Sequence, residues 1–227
     1  MFGFPQLEWF FLSLFGYYFL YGVVDKIFIN NEKYKKLVDD RKNYFQKNIV
    51  KTVALVGIGG IGTKVLYNGF LFNEWNNSEL YRIGYMYSAL DVLGLICVKN
   101  LPMNSKIHHI SSFLFSYMNT LVDYTQPTFW RGLPMYCMFS SYAFGVNLFL
   151  GLRLIMELKS LGKLIEYNLW SYMALLGVNW VYQLINLYWN GTNSWDVYMF
   201  LGLILFVAND DIKLLRFLNH HLKKVKV

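Results

Sequence analysis

The sequence predicts an all-α fold: a polytopic integral membrane helix bundle with seven transmembrane helices. Three observations carry that expectation. The 227 residues are 56% hydrophobic and only 15% charged, whereas an ordinary soluble domain carries about 25% charged residues. Apolar windows recur at 9–30, 49–72, 81–98, 107–122, 133–156, 167–189 and 195–209, most of them close to the ~20 residues that one crossing requires. Nearly all the charge, and three of the four prolines, fall outside those windows.

The first window, from Trp9 to Asn30, has no basic residue before it and no small-residue cleavage site after it. It reads as a retained helix rather than a signal peptide. The second contains T-V-A-L-V-G-I-G-G-I-G-T-K-V-L-Y, in which Gly57, Gly59 and Gly62 match a dinucleotide-binding fingerprint. That fingerprint needs a strand, a helix and a second strand closed by an acidic residue. Here a polar turn at Asn73–Ser78 and another aromatic apolar segment follow instead, so the glycines are expected to let neighbouring helices approach closely. The third window holds Asp91, and the fourth opens on His108-His109. The fourth and seventh are short for a crossing, so each is either re-entrant or extended by its flanks. Cys97 and Cys137 lie within apolar segments and form no metal-ligand or redox spacing. The chain thus divides into an N-terminal helix with a basic loop (1–47), a six-helix membrane domain (48–218) and a basic tail (219–227).

Orientation follows from counting basic residues on alternate sides. The first connection carries Lys26, Lys33, Lys35, Lys36, Arg41, Lys42, Lys47 and Lys51, the third Lys99 and Lys106, the fifth Arg153, Lys159 and Lys163, and the tail Lys213, Arg216, Lys223, Lys224 and Lys226. The opposite side has only Arg82 and Arg131, with Lys64 inside the second helix. This asymmetry marks the first side as cytosolic and the amino terminus as lumenal. The net charge of +7 is therefore read as topology, not as a nucleic-acid surface. Two glycosylation sequons, at Asn76 and Asn190, fall on the lumenal side, although the count made no use of them.

Ionisable groups in apolar helices normally face the bundle interior or a wet cavity. Asp91 is expected about 10 Å below the cytosolic edge, from ~1.5 Å of rise per residue, with the histidines in the same leaflet but nearer that edge. Asp25 and Arg153 are placed near the cytosolic ends of the first and fifth helices. Two readings of the histidines stay open. As chemistry, a neutral imidazole takes a proton from an amine or carries an acyl group, with Asp91 as orienter. As structure, paired histidines at a helix start bond to water and loop carbonyls.

Tyr87-x-x-x-Asp91, then His108-His109-Ile110, then Asp123-Tyr124-Thr125-Gln126-Pro127 with Phe129 and Arg131, in that order, resemble the TLC domain family, which includes the ceramide synthases and many small multi-pass proteins. The resemblance runs from about Asn48 to Leu218. Asn147 and Arg153 fall where the small members carry an Asn and an Arg, and Asp123 stands where a Glu is more usual. In the ceramide synthases a histidine pair matching His108-His109 is required for joining an acyl group from acyl-coenzyme A to a sphingoid amine. Those enzymes also carry an acidic H-D-x-x-D run in the next helix, whereas Pro134–Met156 has no carboxylate. The resemblance therefore implies the smaller branch, tied to membrane lipid composition.

The expected function is binding of a lipid in an intramembrane pocket and a part in membrane lipid homeostasis. The alternative is acyl-coenzyme-A-dependent N-acylation of a long-chain sphingoid amine, with His108 or His109 as base or acyl carrier and Asp91 as orienter. Asp25, Asp123, Arg131, Asn147 and Arg153 are expected as pocket or structural polar residues. No metal and no resident cofactor is expected, with acyl-coenzyme A a co-substrate only in the enzymatic reading. The partners are a membrane lipid or long-chain amine, and not nucleic acid; a homo-oligomer remains open. The family likeness implies the endoplasmic reticulum. The basic tail, with His220-His221, reads as a cytosolic amphipathic segment drawn to anionic headgroups by about 1 kcal/mol per basic residue.

Overall fold

The computed structural model describes residues 6–191 and 195–226, and among these the regular structure is entirely helical. The helices are α1 (Leu7–Phe28), α2 (Glu32–Lys35), α3 (Asp39–Phe72), α4 (Asn77–Cys97), α5 (Met103–Asn119), α6 (Gly132–Tyr142), α7 (Phe144–Leu152), α8 (Gly162–Asn190) and α9 (Trp195–Lys226). Every apolar window lies on a helix, with α6 and α7 sharing one. By length and composition α1 and α3 are able to cross a membrane, and the bent segment Phe129–Leu152 makes a third if counted as one span.

The interior is mainly apolar, but the surface and a minority of buried residues depart from the pattern of a soluble protein. Phe15, Phe19, Leu71, Leu184 and Leu205 are exposed on the outside, while Ser88, Asp91, Ser141, Asn168 and Asn179 are buried within. Large apolar residues outside, with the few membrane-depth polar ones turned inward, is the arrangement that hydrocarbon surroundings favour. Neighbour contacts run α3–α4–α5–α9–α8, then through α7 and α6 back to α3, so these elements close a ring. α1 packs outside it, against α3 and α4. The basic connections gather at one end of the ring, called the basic end below; the Asn76 and Asp123 turns lie at the far end.

Local chemistry explains where helices start and bend. α3 stops at Asn73, whose left-handed backbone (φ 54°) is one that asparagine tolerates. The Asn76 side chain caps α4 by accepting from the Glu79 amide at 3.2 Å. Between α6 and α7 the chain bends by 45° at Ala143, where Ser141 donates back to the Cys137 carbonyl at 2.7 Å, a serine insertion that bends helices. Amides on α8 accommodate the irregular stretch: Asn186 donates to the Phe129 carbonyl at 2.6 Å, Gln183 to Gly132 at 2.7 Å and Asn168 to Gly145 at 2.7 Å. Backbone acceptors that would otherwise be orphaned inside the bundle are thereby satisfied.

Several expectations change. The boundary at 47/48 falls within α3, and the one at 218/219 within α9. The tail is therefore a continuation of α9: Leu218 and Leu222 are buried in the α7–α8–α9 core, and Lys226 pairs with Glu166 at 3.0 Å. The seventh window is extended by its flank rather than short. The glycine run lies within one continuous helix, not at a strand–helix turn. Tyr142 leaves 3.3 Å for a Cβ at Gly59, and Met138 occupies the place of a Cβ at Gly62. Gly57 has open space around it, so close packing accounts for two of the three glycines. Thr192, which completes the Asn190 sequon, lies outside the described residues.

Candidate functional site

At the basic end the ring encloses a cavity of about 460 Å³. Its first wall is α3, which presents Lys47 and Lys51 one turn apart on the same face. Both side chains are buried. Gly94 on α4 makes this geometry feasible, because a Cβ there would meet Lys47 Cε at 2.9 Å. Lys51 Nζ donates to Asp91 Oδ1 at 2.6 Å, and Asp91 has no solvent exposure. A carboxylate in such a place requires cationic or hydrogen-bonding partners.

The second wall is α5. His109 Nδ1 stands 2.9 Å from Asp91 Oδ1, and its Nε2 stands 2.9 Å from Lys47 Nζ. Nδ1 lies close to the carboxylate without the alignment of a hydrogen bond, and the charges on either side favour the tautomer with the proton on Nδ1, leaving Nε2 to accept from the lysine ammonium. The opposite tautomer would aim a lone pair at Asp91 and an N–H at an ammonium. Asp91 Oδ2 has no hydrogen-bond partner. His108 packs edge-on to His109 with ring centres 5.6 Å apart, and its Nδ1 lies 3.4 Å from Asp210 Oδ2.

Asp91 and His109 were expected at different depths in one leaflet, yet they are in contact. The physical reason is that α5 begins at Met103, four residues before its apolar window, which carries His109 into the helix. Asp91 stands six residues before the end of α4 and His109 six after the start of α5, so the antiparallel pair brings them level.

The remaining walls come from α6 to α9. Asp211 is buried, its Oδ1 accepting from the Tyr172 hydroxyl at 2.7 Å while Oδ2 has no partner. Arg153 lies over the Phe217 ring, 4.8 Å from its centre, and among the described residues has no carboxylate within ion-pair distance. Asn147 and Lys213 line the same space. Beyond Tyr87 and Tyr136 an apolar pocket of about 30 Å³ continues, lined by Leu80, Phe115 and Leu133.

The structure thus brings together Asp91, His108, His109, Asn147 and Arg153, and leaves out Asp25, Asp123 and Arg131. Asp25 ties α1 to α2 and α3, accepting from Tyr34 Oη at 2.7 Å and Gln46 Nε2 at 3.0 Å. Asp123 and Arg131 belong to the far end. Asp123 accepts from Asn77 Nδ2 at 2.8 Å and from the Thr125 hydroxyl at 2.8 Å. Arg131 donates to the Tyr124 carbonyl at 2.9 Å and covers the Trp75 ring. Of the sequons, Asn76 caps α4 and Asn190 donates to Asn186 Oδ1 at 2.9 Å.

Five charged cavity residues escaped the sequence reading: Lys47, Lys51, Asp210, Asp211 and Lys213. The i, i+4 spacing of the two α3 lysines was visible, but both were counted as loop charges. Asp210 and Asp211 lie just past the last apolar window and line the cavity.

Asp91, His108 and His109 each offer one potential metal-ligand atom, all within 4.8 Å of one another. Two of those residues already contact ammonium groups, Asp91 that of Lys51 and His109 that of Lys47, so a divalent cation would have to displace both. No protein-family model, curated protein or solved structure matches this chain. The fold and the site define its class by themselves: a helical bundle containing membrane-length apolar helices and a buried, charged cavity.

Proposed function

We propose that this chain is a seven-span membrane protein of the TLC type, resident in the endoplasmic reticulum, that binds a lipid in its intramembrane cavity and acts in membrane lipid homeostasis. The observation that carries this reading is one cavity of about 460 Å³ with charged walls inside a bundle whose exterior is apolar. Such charges are costly in hydrocarbon unless they serve a ligand or each other. The polar chamber suits a headgroup, and the apolar pocket beyond Tyr87 and Tyr136 suits the start of a tail. The basic connections favour a cytosolic mouth.

The Asp91–His109 pair favours a second reading, N-acylation of a long-chain amine with acyl-coenzyme A as co-substrate. Asp91 orients the imidazole, and Nε2 is the nitrogen available to take a proton. That nitrogen now accepts from Lys47, so base chemistry requires the lysine to move, and this places binding ahead of catalysis. The deciding experiment is mass spectrometry of the purified full chain, for retained lipid and for products after addition of acyl-coenzyme A and long-chain amines. Retained lipid without turnover supports the binder. Turnover abolished by His109→Ala establishes the enzyme, since a general base contributes about 10²–10⁴ in rate. Neither retained lipid nor turnover across a broad panel sinks both readings.

A further inference from the structure

We infer that the cavity recognises a zwitterionic aminophospholipid headgroup, with its phosphate held by Lys47 and Arg153 and its primary ammonium by Asp211. This inference rests on the lipid-pocket reading and names the lipid class. Its basis is unpaired charge of both signs facing one space. Lys47 is 7% exposed; its ammonium contacts a neutral imidazole nitrogen and, among the described residues, no carboxylate. The Lys47, Lys51 and Asp91 group therefore carries one surplus positive charge. Arg153, at the end of α7, which packs beside the lysine-bearing α3, is likewise without an anion among the described residues. Across the cavity Asp211 is 5% exposed, with one oxygen engaged by Tyr172 and the other unpartnered.

A purely anionic headgroup would balance the lysine and arginine wall but meet Asp210 and Asp211 on α9, whose two negative charges exceed the single positive charge of Lys213 beside them. A long-chain amine would satisfy Asp211 and leave the cations unbalanced. Only a ligand with both charges compensates both walls, and a buried charge left unpaired is the costly outcome. The vacant Oδ2 of Asp211 needs an N–H donor, which a primary ammonium supplies and a quaternary one does not.

The test uses the full-length protein in detergent, with phosphatidylethanolamine, phosphatidylcholine, phosphatidylglycerol and sphingosine titrated separately and binding read by native mass spectrometry. Phosphatidylethanolamine should bind tightest. Asp211→Asn, nearly isosteric, should weaken it about tenfold or more, the usual worth of a charged hydrogen bond, and should spare phosphatidylglycerol. Lys47→Met and, separately, the less buried Arg153→Met should weaken both phospholipids and spare sphingosine. Phosphatidylcholine binding as tightly as phosphatidylethanolamine, or Asp211→Asn leaving the latter unchanged, overturns the inference while the lipid-pocket reading stands. Wild-type protein that retains none of the four lipids overturns both.

Discussion

Lys51 and Asp91 meet almost without solvent, and their worth lies less in attraction than in what happens when one is lost. In a low-dielectric interior the Coulomb gain of such a pair is largely offset by desolvation. Removing one partner leaves the other charge buried, so Lys51→Met should cost about 3–5 kcal/mol in a denaturant titration in detergent. Replacing both, Lys51→Met with Asp91→Leu, should recover most of that loss; a double variant as unstable as the single would refute this account. At the far end Asp123 behaves differently because it is exposed. Hydrogen bonds from Asn77 first, and then from Thr125, hold its carboxyl below the usual carboxylate range. A depressed value means that its contribution is complete above the unfolded value of about 4 and is lost only as pH falls through the lower folded value. The protection factors of the Tyr124 and Thr125 amides in hydrogen exchange, taken against the intrinsic rate at each pH, should therefore hold down to about pH 4 and fall only below it. Asp123→Asn should remove that acid dependence.

α3 shows how one helix serves two purposes. Its far half packs through glycines against α6, and its near half delivers Lys47 and Lys51 to the cavity. The glycines are not equivalent. Gly62→Leu would drive a side chain into Met138, which is fully buried, and should destabilise by about 1–3 kcal/mol through overpacking. Gly57→Leu meets nothing within 4 Å and should be nearly neutral in the same thermal melts. Equal effects at both positions would exclude the packing account. The helices themselves were legible because a run long enough for hydrocarbon stands out against polar connections. Their ends were less so. α3 starts ten residues before its window and α9 runs seventeen beyond its own, since polar residues there continue the helix by packing on neighbouring elements. The bend at Ala143 was not legible, because the α8 amides that accommodate it are remote in sequence.

At the scale of the whole molecule, the histidines and Asp91 were identifiable from sequence because an ionisable residue in an apolar run is conspicuous. Lys47, Lys51, Asp210 and Asp211 were not, since charges at a window's edge look like loop charges until the helices are assembled. Closure of the ring turns those edges inward. It also makes α9 a cavity wall along one part and a packing partner of α8 along another: its 32 residues form a rod about 48 Å long at 1.5 Å per residue, with Asp210 and Asp211 at its middle and Lys226 at its end, paired to Glu166 of α8. An unbroken rod transmits rotation, so a change in how the cavity engages Asp211 should shift the packed end of α9 against α8. A spin label at Asn219, measured against one at Lys163 on α8, should then register cavity loading as a change in distance, making an event hidden inside the bundle readable from outside it.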